Sequence, residues 1–594
     1  MPRSGEHESS FIAHCDPLCF GPFVFDGTVT FRLWAPAARN VQVILNGALT
    51  MRRKGDWFTL NVPNAGPGTQ YRFRVDDEIE IADPASHFQP KDVHGPSELI
   101  DHGDYRWQTE DWKGLPWEKT VLLEAHVGTF TPEGTYRAML NKLDHLTATG
   151  ITALELMPLS DFVGRWNWGY DGVLPFAPDS SYGRPNDLKA LIDAAHARGL
   201  MMFLDVVYNH FGPEGNHLHR IAPAFFSEAH QTPWGAAIDY RVPEVRVFTI
   251  ENALHWLRNY RFDGLRLDAV HAIIEPGTPH ILFALAQAVH AFAEQSGRQI
   301  HLVLENDENA ARFLAPAGGY RAQWNDDYHH GWHVLLTRER TSYYADYQNY
   351  REHIARALAL GFSYQGEPSS HRGGTRRGTS SSHLPRSVFV NFLQNHDQIG
   401  NRPKGERLAA LAKPEALLAA FTIMLLQPGP PLMFMGDEWG AANPFPFFCD
   451  FHGKLAAAVG QGRQRQIAQA FTSHGDEIPD PLSEQTRVAA VLDWNELDDR
   501  AAAARLELTR NLLAVRERFI VPLLPEMTCA GHSVFKSDVL QACWTAGART
   551  LMLLGNLSED RKRNPLTIWG EPIWGDAPPS ELPPWTVYAA LRDV

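Results

Sequence analysis

Three charged or titratable residues crowd one short apolar run, "GLRLDAVH" at 264–271: Arg266, Asp268 and His271. The leucines and valine around them read as a strand entering a core, where a charge without a partner is very costly. Arg266 and Asp268 are two positions apart, so in an extended strand both side chains leave the same face. A guanidinium beside a carboxylate lowers its pKa and keeps it ionised. Two further carboxylates close apolar runs, Glu305 in "HLVLEN" and Asp397 in "NFLQNHD". Apolar surroundings and nearby carboxylates raise the pKa of Glu305, as a general acid requires. Three such carboxylates suit cleavage of a glycosidic bond, where a retaining site holds an ionised nucleophile about 5 to 5.5 Å from a protonated acid. A further anion then favours the positive charge that develops in the transition state. His210 in "DVVYNH" and His396 are expected to bond sugar hydroxyls as neutral rings, and Tyr170 in "WNWGYDG" to stack on a sugar face.

These residues need a scaffold that brings several strand ends together. Eight apolar β-type runs recur, at 121–128, 151–158, 200–210, 264–270, 301–306, 321–327, 388–397 and 431–438. Helical patterns lie between them, such as "DLKALIDAAHARG" and "FTIENALHWLRNY". Strands alternating with helices in this number predict a (β/α)8 TIM barrel, whose catalytic groups stand at the C-terminal strand ends. Seven of the eight runs do end near polar groups: His126, Asp205 with His210, Asp268, Glu305, Asp326 with Asp327, His396 with Asp397, and Asp437 with Glu438.

The expected architecture is multidomain. An N-terminal Ig-like β-sandwich (1–105) precedes the barrel with its insertions (106–520), and a C-terminal β-sandwich (521–594) follows. Short strands with Gly/Pro turns, as in "TVTFRLWAP" and "GPGTQYRFRVD", carry the first assignment. Two insertions stand out, at 211–250 and at 365–386. The second, "GEPSSHRGGTRRGTSSSHLPR", is polar and low in complexity and reads as a mobile loop.

A formal charge of −15 leaves no basic surplus for nucleic acid. Five scattered cysteines, Cys15, Cys19, Cys449, Cys529 and Cys543, do not form a disulfide framework and read as free thiols. The Cys15–Cys19 pair lacks the second pair that a zinc site wants. There is no signal-peptide pattern, and no apolar run reaches the roughly 20 residues of a membrane span. A reducing cytoplasm is the expected compartment. No glycine-rich phosphate loop is present, so no organic cofactor is expected, and the Asp and His clusters do not read as a metal site.

The strand-end residues resemble the alpha-amylase family of glycoside hydrolases. "DVVYNH" (205–210), "GLRLDAVH" (264–271), "LEN" (304–306) and "NFLQNHD" (391–397) look like its four signatures, in order. The resemblance implies Asp268 as nucleophile, Glu305 as general acid/base and Asp397 as transition-state stabiliser. It also implies that Arg266, His271, His210, His396 and Tyr170 surround the scissile bond, with Asp205 structural beside them. Further stretches, among them 83–97, 126–136, 232–240, 323–337 and 444–453, resemble a trehalose-releasing branch of that family. That branch acts on maltooligosyl trehalose and related α-glucans, downstream of a trehalose-forming synthase. By the same likeness Asp326, Asp327, His329, His330, Gln398 and Asn401 bind the trehalose end, and the N-terminal sandwich is of starch-binding type. Two alternatives stay open: a glucan transferase of branching type, from which "LENDEN" departs where a Glu-Glu-Ser run is usual, and a glucan-binding protein without activity.

Overall fold

The computed structural model describes residues 19–25, 27–232, 235–275, 279–314, 318–470, 478–528 and 530–593. Cys15 and Cys529 lie outside the described residues, as does part of the 232–240 stretch. Cys19, Cys449 and Cys543 are free thiols.

Eight parallel strands close into a barrel. They are β1 (Leu122–Ala125), β2 (Ala153–Leu156), β3 (Met201–Val206), β4 (Gly264–Leu267), β5 (His301–Leu304), β6 (Ala322–Trp324), β7 (Phe389–Phe392) and β8 (Pro431–Phe434). Each falls within one of the eight expected runs. Every strand residue is buried, which is why the runs are continuously apolar instead of alternating. Phe203, Val303, Trp324, Val390, Phe392 and Leu432 are among the side chains that pack the barrel interior. Gly264 opens β4 because nothing larger fits: a Cβ there would stand 2.1 Å from the Phe203 ring. The register places Asp205 of β3 beside Arg266 of β4, so both rise from one face of the sheet.

The two quoted helical patterns form α1 (Pro185–His196) and part of α2 (Pro243–Asn259). After β6 come α3 (Asp326–Thr337) and α4 (Tyr350–Leu360), which pack on each other. Ahead of the barrel lie two small antiparallel sheets, one containing Thr28–Trp34 and Trp57–Pro63, the other Val41–Ile44 and Gln70–Val75. Along Thr28–Trp34 burial alternates, as expected for a sandwich with one inner face. A five-stranded antiparallel sheet, in which Val539–Ala546 and Arg549–Asn556 are central, ends the chain. It is fastened to α4: the Trp544 indole donates to the Leu358 carbonyl (3.0 Å), the Gly531 amide to that of Ala359 (2.8 Å), and Arg351 pairs with Asp538.

The 365–386 insertion is not the mobile loop its composition implies. Glu367–Pro368 pairs with Arg376–Arg377 in a small hairpin. Arg377 is 4% exposed and reaches Asp327 (2.8 Å) and Asp307 (2.9 Å), while Arg372 also pairs with Asp307. Arg372 and Arg377, which look like surface charge, are the counter-ions of carboxylates lying below. Among the described residues no helix is long and apolar enough to cross a membrane.

Candidate active site

Arg266 is the centre of the barrel's C-terminal face. Its side chain is fully buried, with the guanidinium carbon 4.1 Å above the Trp324 ring. One terminal nitrogen reaches Asp205 (2.5 Å) and Asp268 (2.9 Å), and the other reaches Glu305 (2.7 Å). Three carboxylates from three adjacent strands therefore share one cation. Asp205 also accepts from the Tyr170 hydroxyl (2.7 Å), and Asp268 accepts from the Asn209 amide (3.0 Å). The chain after Asp268 turns through Ala269 at φ 39°, a left-handed conformation that costs an alanine of order 1 kcal/mol or more. That turn aims the Ala269 N–H at Glu305 (2.9 Å), adding a donor to the same oxygen that Arg266 holds.

The shared cation does not act equally on its partners. Burial opposes ionisation of Asp268, but Arg266, His210 and Asn209 outweigh it and hold the carboxyl below its ordinary value. For Glu305 burial wins: its carboxyl lies well above the usual range despite Arg266, with Asp268, Asp397 and Asp326 adding to the rise. Asp205, deepest of the three, is pushed up to about 7 by burial against the pull of Arg266. One carboxylate is kept ionised and its neighbour protonated, the division of labour that acid-assisted displacement needs.

Asp397 sits across the site, 40% exposed, with His396 Nε2 at 3.5 Å. His396 corrects an expectation. It is buried against Glu124, whose carboxylate meets Nδ1 at 2.5 Å and the backbone N–H at 3.1 Å. Burial works against the charge, but Glu124 and Asp397 raise the imidazole to about 9, so it is a cation and not a neutral ring. Its ring stacks on Tyr170, with centroids 5.0 Å apart. Burial lowers the pKa of His210, and its Nε2 meets the Tyr170 carbonyl at 2.9 Å.

Glu305 and Asp397 open onto a cavity of about 250 Å³ that His271, Asp326, His330, Gln398 and Asn401 also line. Two residues expected there are elsewhere. Asp327 has no exposed surface: it accepts from Arg377, Asn309 and the Ser363 and Tyr364 amides. His329 is equally buried, bonded to the Leu393 carbonyl (2.5 Å) and the Tyr344 hydroxyl (3.0 Å). On α3 Asp326 and His330 are four residues apart and share the cavity face, whereas Asp327 and His329 turn away from it, so the adjacent pairs Asp326/Asp327 and His329/His330 each divide. His126, Asp437 and Glu438 also serve the scaffold: Asp437 pairs with Arg407, Glu438 accepts from the Gly436 amide, and His126 meets the Asn167 carbonyl.

Several lining residues were missed, namely Asp307, Tyr343, Asp346, Tyr347, Ser369, His371, Arg372 and Arg377. Four of them belong to the 365–386 insertion, whose paired arginines were the available signal. Glu124 was missed as well, although a lone Glu within the apolar run 121–128 is the same anomaly that singled out Arg266.

A closed (β/α)8 barrel with a polarised carboxylate set at its C-terminal face defines a glycoside hydrolase of the alpha-amylase class. Residues 101–223 match the alpha amylase catalytic domain, and residues 19–86 match carbohydrate-binding module 48, the isoamylase N-terminal domain. The chain is 42% identical to the malto-oligosyltrehalose trehalohydrolase of Deinococcus radiodurans over 95% of its own length and 93% of that protein's. It is 39% identical to the enzyme of the same name from Saccharolobus solfataricus, over 84% and 87% of the two chains. An alpha-amylase-type crystal structure from Salmonella typhimurium superposes with a TM-score of 0.93 at 41% identity, covering 97% of this chain and 99% of that one. The chain belongs to the malto-oligosyltrehalose trehalohydrolase family.

Proposed function

We propose that the protein hydrolyses the α-1,4 bond next to the terminal trehalose unit of maltooligosyl trehalose, releasing trehalose and a shorter maltooligosaccharide. The observation that supports this most directly is the opposed ionisation of Asp268 and Glu305 on one guanidinium. Asp268 attacks the anomeric carbon while Glu305 gives its proton to the departing glycosidic oxygen. A covalent glycosyl-enzyme results, and Glu305, now a base, activates the water that releases it. Asp397 faces the developing positive charge. Arg266 and Asn209 orient Asp268, and Tyr170 stands beside the scissile bond, backed by the His396–Glu124 ion pair. Asp326, His330, Gln398 and Asn401 bind the trehalose end in the cavity beyond Glu305, roofed by the 365–377 hairpin.

The N-terminal unit holds the rest of an α-glucan chain, and the substrate comes from a trehalose-forming synthase acting in the same cytoplasm. Incubation with maltotriosyl trehalose and, separately, with plain maltooligosaccharides tests the reading by following free trehalose and glucose. Preferential release of trehalose is expected. New α-1,6 branches on amylose would instead identify a branching transferase, and binding without turnover an inactive module.

A further inference from the structure

Three histidines far apart in the chain meet in the interior, away from the catalytic face. His87 and His102 lie on the segment that leads from the N-terminal sandwich into the barrel, and His255 lies on α2. A ring nitrogen of each comes within 4.8 Å of the others. The ring centroids are 4.6 to 5.2 Å apart. His87 is 7% exposed and His255 not at all.

The hydrogen bonding of this cluster is incomplete in one consistent way. Both ring nitrogens of His87, both of His102 and Nε2 of His255 are buried without a well-formed hydrogen bond, although the Phe176 backbone stands close enough to the His255 ring to raise its pKa. The sixth, Nδ1 of His255, meets the Asn259 side-chain amide at 3.0 Å. The Tyr260 hydroxyl, whose ring packs edge-on against His102 and His255, is also without a partner. Buried polar atoms in folded proteins are nearly always satisfied, so orphans gathered at one point require a guest.

The chemistry of the cluster narrows what that guest is. Burial keeps the rings neutral, with His87 down at about 4 and His102 and His255 well below the ordinary imidazole value. Neutral imidazole presents a lone pair, and three of them make an all-nitrogen donor set. Calcium and magnesium want oxygen ligands, whereas imidazole suits zinc and its first-row neighbours. We propose that His87, His102 and His255 bind a divalent transition-metal ion, zinc foremost, which rivets the sandwich-to-barrel segment onto α2. Zn–N bonds of about 2.0–2.1 Å bring ligand nitrogens to about 3.3 Å apart, so the rings close inward on binding. With Nε2 of His255 on the metal, Nδ1–H donates to the Asn259 side chain, turned to present its oxygen, which fixes the ring as outer ligands commonly do.

The nearest like charge is Lys189, which donates to the His102 carbonyl (3.0 Å); burial lowers its ammonium to about 8, and Asp101 and Asp104 partly offset that. The location suits a structural ion. The same α2 already holds the start of the sandwich, because Glu251 accepts from the Cys19 (2.6 Å) and Phe20 (2.9 Å) amides.

The test uses the tag-free, full-length protein, stripped with a chelator and desalted. Zinc is then added, excess is removed by gel filtration, and bound metal is counted by elemental analysis. One equivalent per chain and a raised Tm are expected. Cobalt(II) in its place should give the intense visible bands of a low-coordinate nitrogen site. His102→Gln should weaken retention by about 10-fold or more and leave trehalose release by the metal-free enzyme as it is in the metal-free parent. No retained metal and no Tm response in the parent chain would overturn the proposal in favour of buried water. Retention unchanged by His102→Gln would overturn it in favour of surface histidines. If that variant does not fold, His87→Gln and the cobalt spectrum of the parent decide by the same criteria.

Discussion

Replacing Arg266 by methionine removes the cation that three buried carboxylates share while keeping a side chain of similar length. Asp205 provides the yardstick. It is the more deeply placed of the two and, even with the same guanidinium at 2.5 Å, its carboxyl is pushed up to about 7, which shows how strongly burial opposes ionisation here. Without Arg266, Asp268 loses the largest charge opposing its burial, so its carboxyl rises from below its ordinary range to above it. Less of the nucleophile would then be ionised at pH 5 than at pH 8. The loss in kcat/KM relative to the parent should therefore be greater at pH 5 than at pH 8, by about tenfold for each unit by which the raised carboxyl exceeds the assay pH, on top of any pH-independent loss from misalignment. Stability moves the other way. A carboxyl whose folded pKa lies above its unfolded value contributes stability at low pH that is lost as pH rises through the folded pKa. The variant's deficit should thus be small near pH 5 and approach the roughly 3–5 kcal/mol of a broken buried ion pair by pH 8. Initial rates of trehalose release from pH 4.5 to 8.5, with urea unfolding at the same values, measure both. An acid limb that stays where it is in the parent, or activity and stability deficits that change in the same direction, would refute the reasoning.

Asp268→Asn should lower kcat by roughly 10³-fold or more with little change in Tm, since Arg266 keeps Asp205 and Glu305; an unfolded variant would show that Asp268 is structural. His396, raised to about 9 against about 6.5 unfolded, contributes stability that is full below pH 6.5 and lost as pH rises through 9, about 3 kcal/mol in all. Glu124→Gln should remove most of it at pH 7 and flatten the dependence of Tm on pH between 7 and 9.5; an unchanged slope would dismiss the buried ion pair as its source. Arg377→Met leaves Asp327 with only neutral donors and should cost about 3 kcal/mol in urea unfolding. The loosened hairpin should raise KM for maltotriosyl trehalose more than it lowers kcat, and an unaltered KM would deny the hairpin a part in binding.

The barrel was legible because each strand is buried on both faces and seven of the eight runs then end near a polar residue. That contrast survives in a linear string, and it singled out Asp268, Glu305 and Asp397 as candidates. Pairing at a distance does not survive there. Nothing near His396 indicates Glu124, 272 positions earlier, so a neutral imidazole was expected where a cation stands. Arg372 and Arg377 of 365–386 have their carboxylates at Asp307 and Asp327, and without those partners the segment resembles a solvated loop. Asp326 and Asp327 are neighbours in sequence, yet only the helix phase decides which one reaches the cavity. His87, His102 and His255 carried no local pattern at all.

Helix α4 has a neighbour on each side. Toward the chain's end it is held by Trp544, Gly531 and Asp538. Just past its own last turn, the Ser363 and Tyr364 amides grip Asp327 (2.7 and 2.9 Å), the carboxylate that also anchors the cavity's roof. The terminal sheet, with no residue in the pocket, is in this way a splint for the pocket's shape. Anyone cutting the chain down to a minimal catalyst would find that the smallest piece containing the reactive trio is not the smallest piece able to recognise a substrate. Selectivity should be shed first, and bond cleavage later.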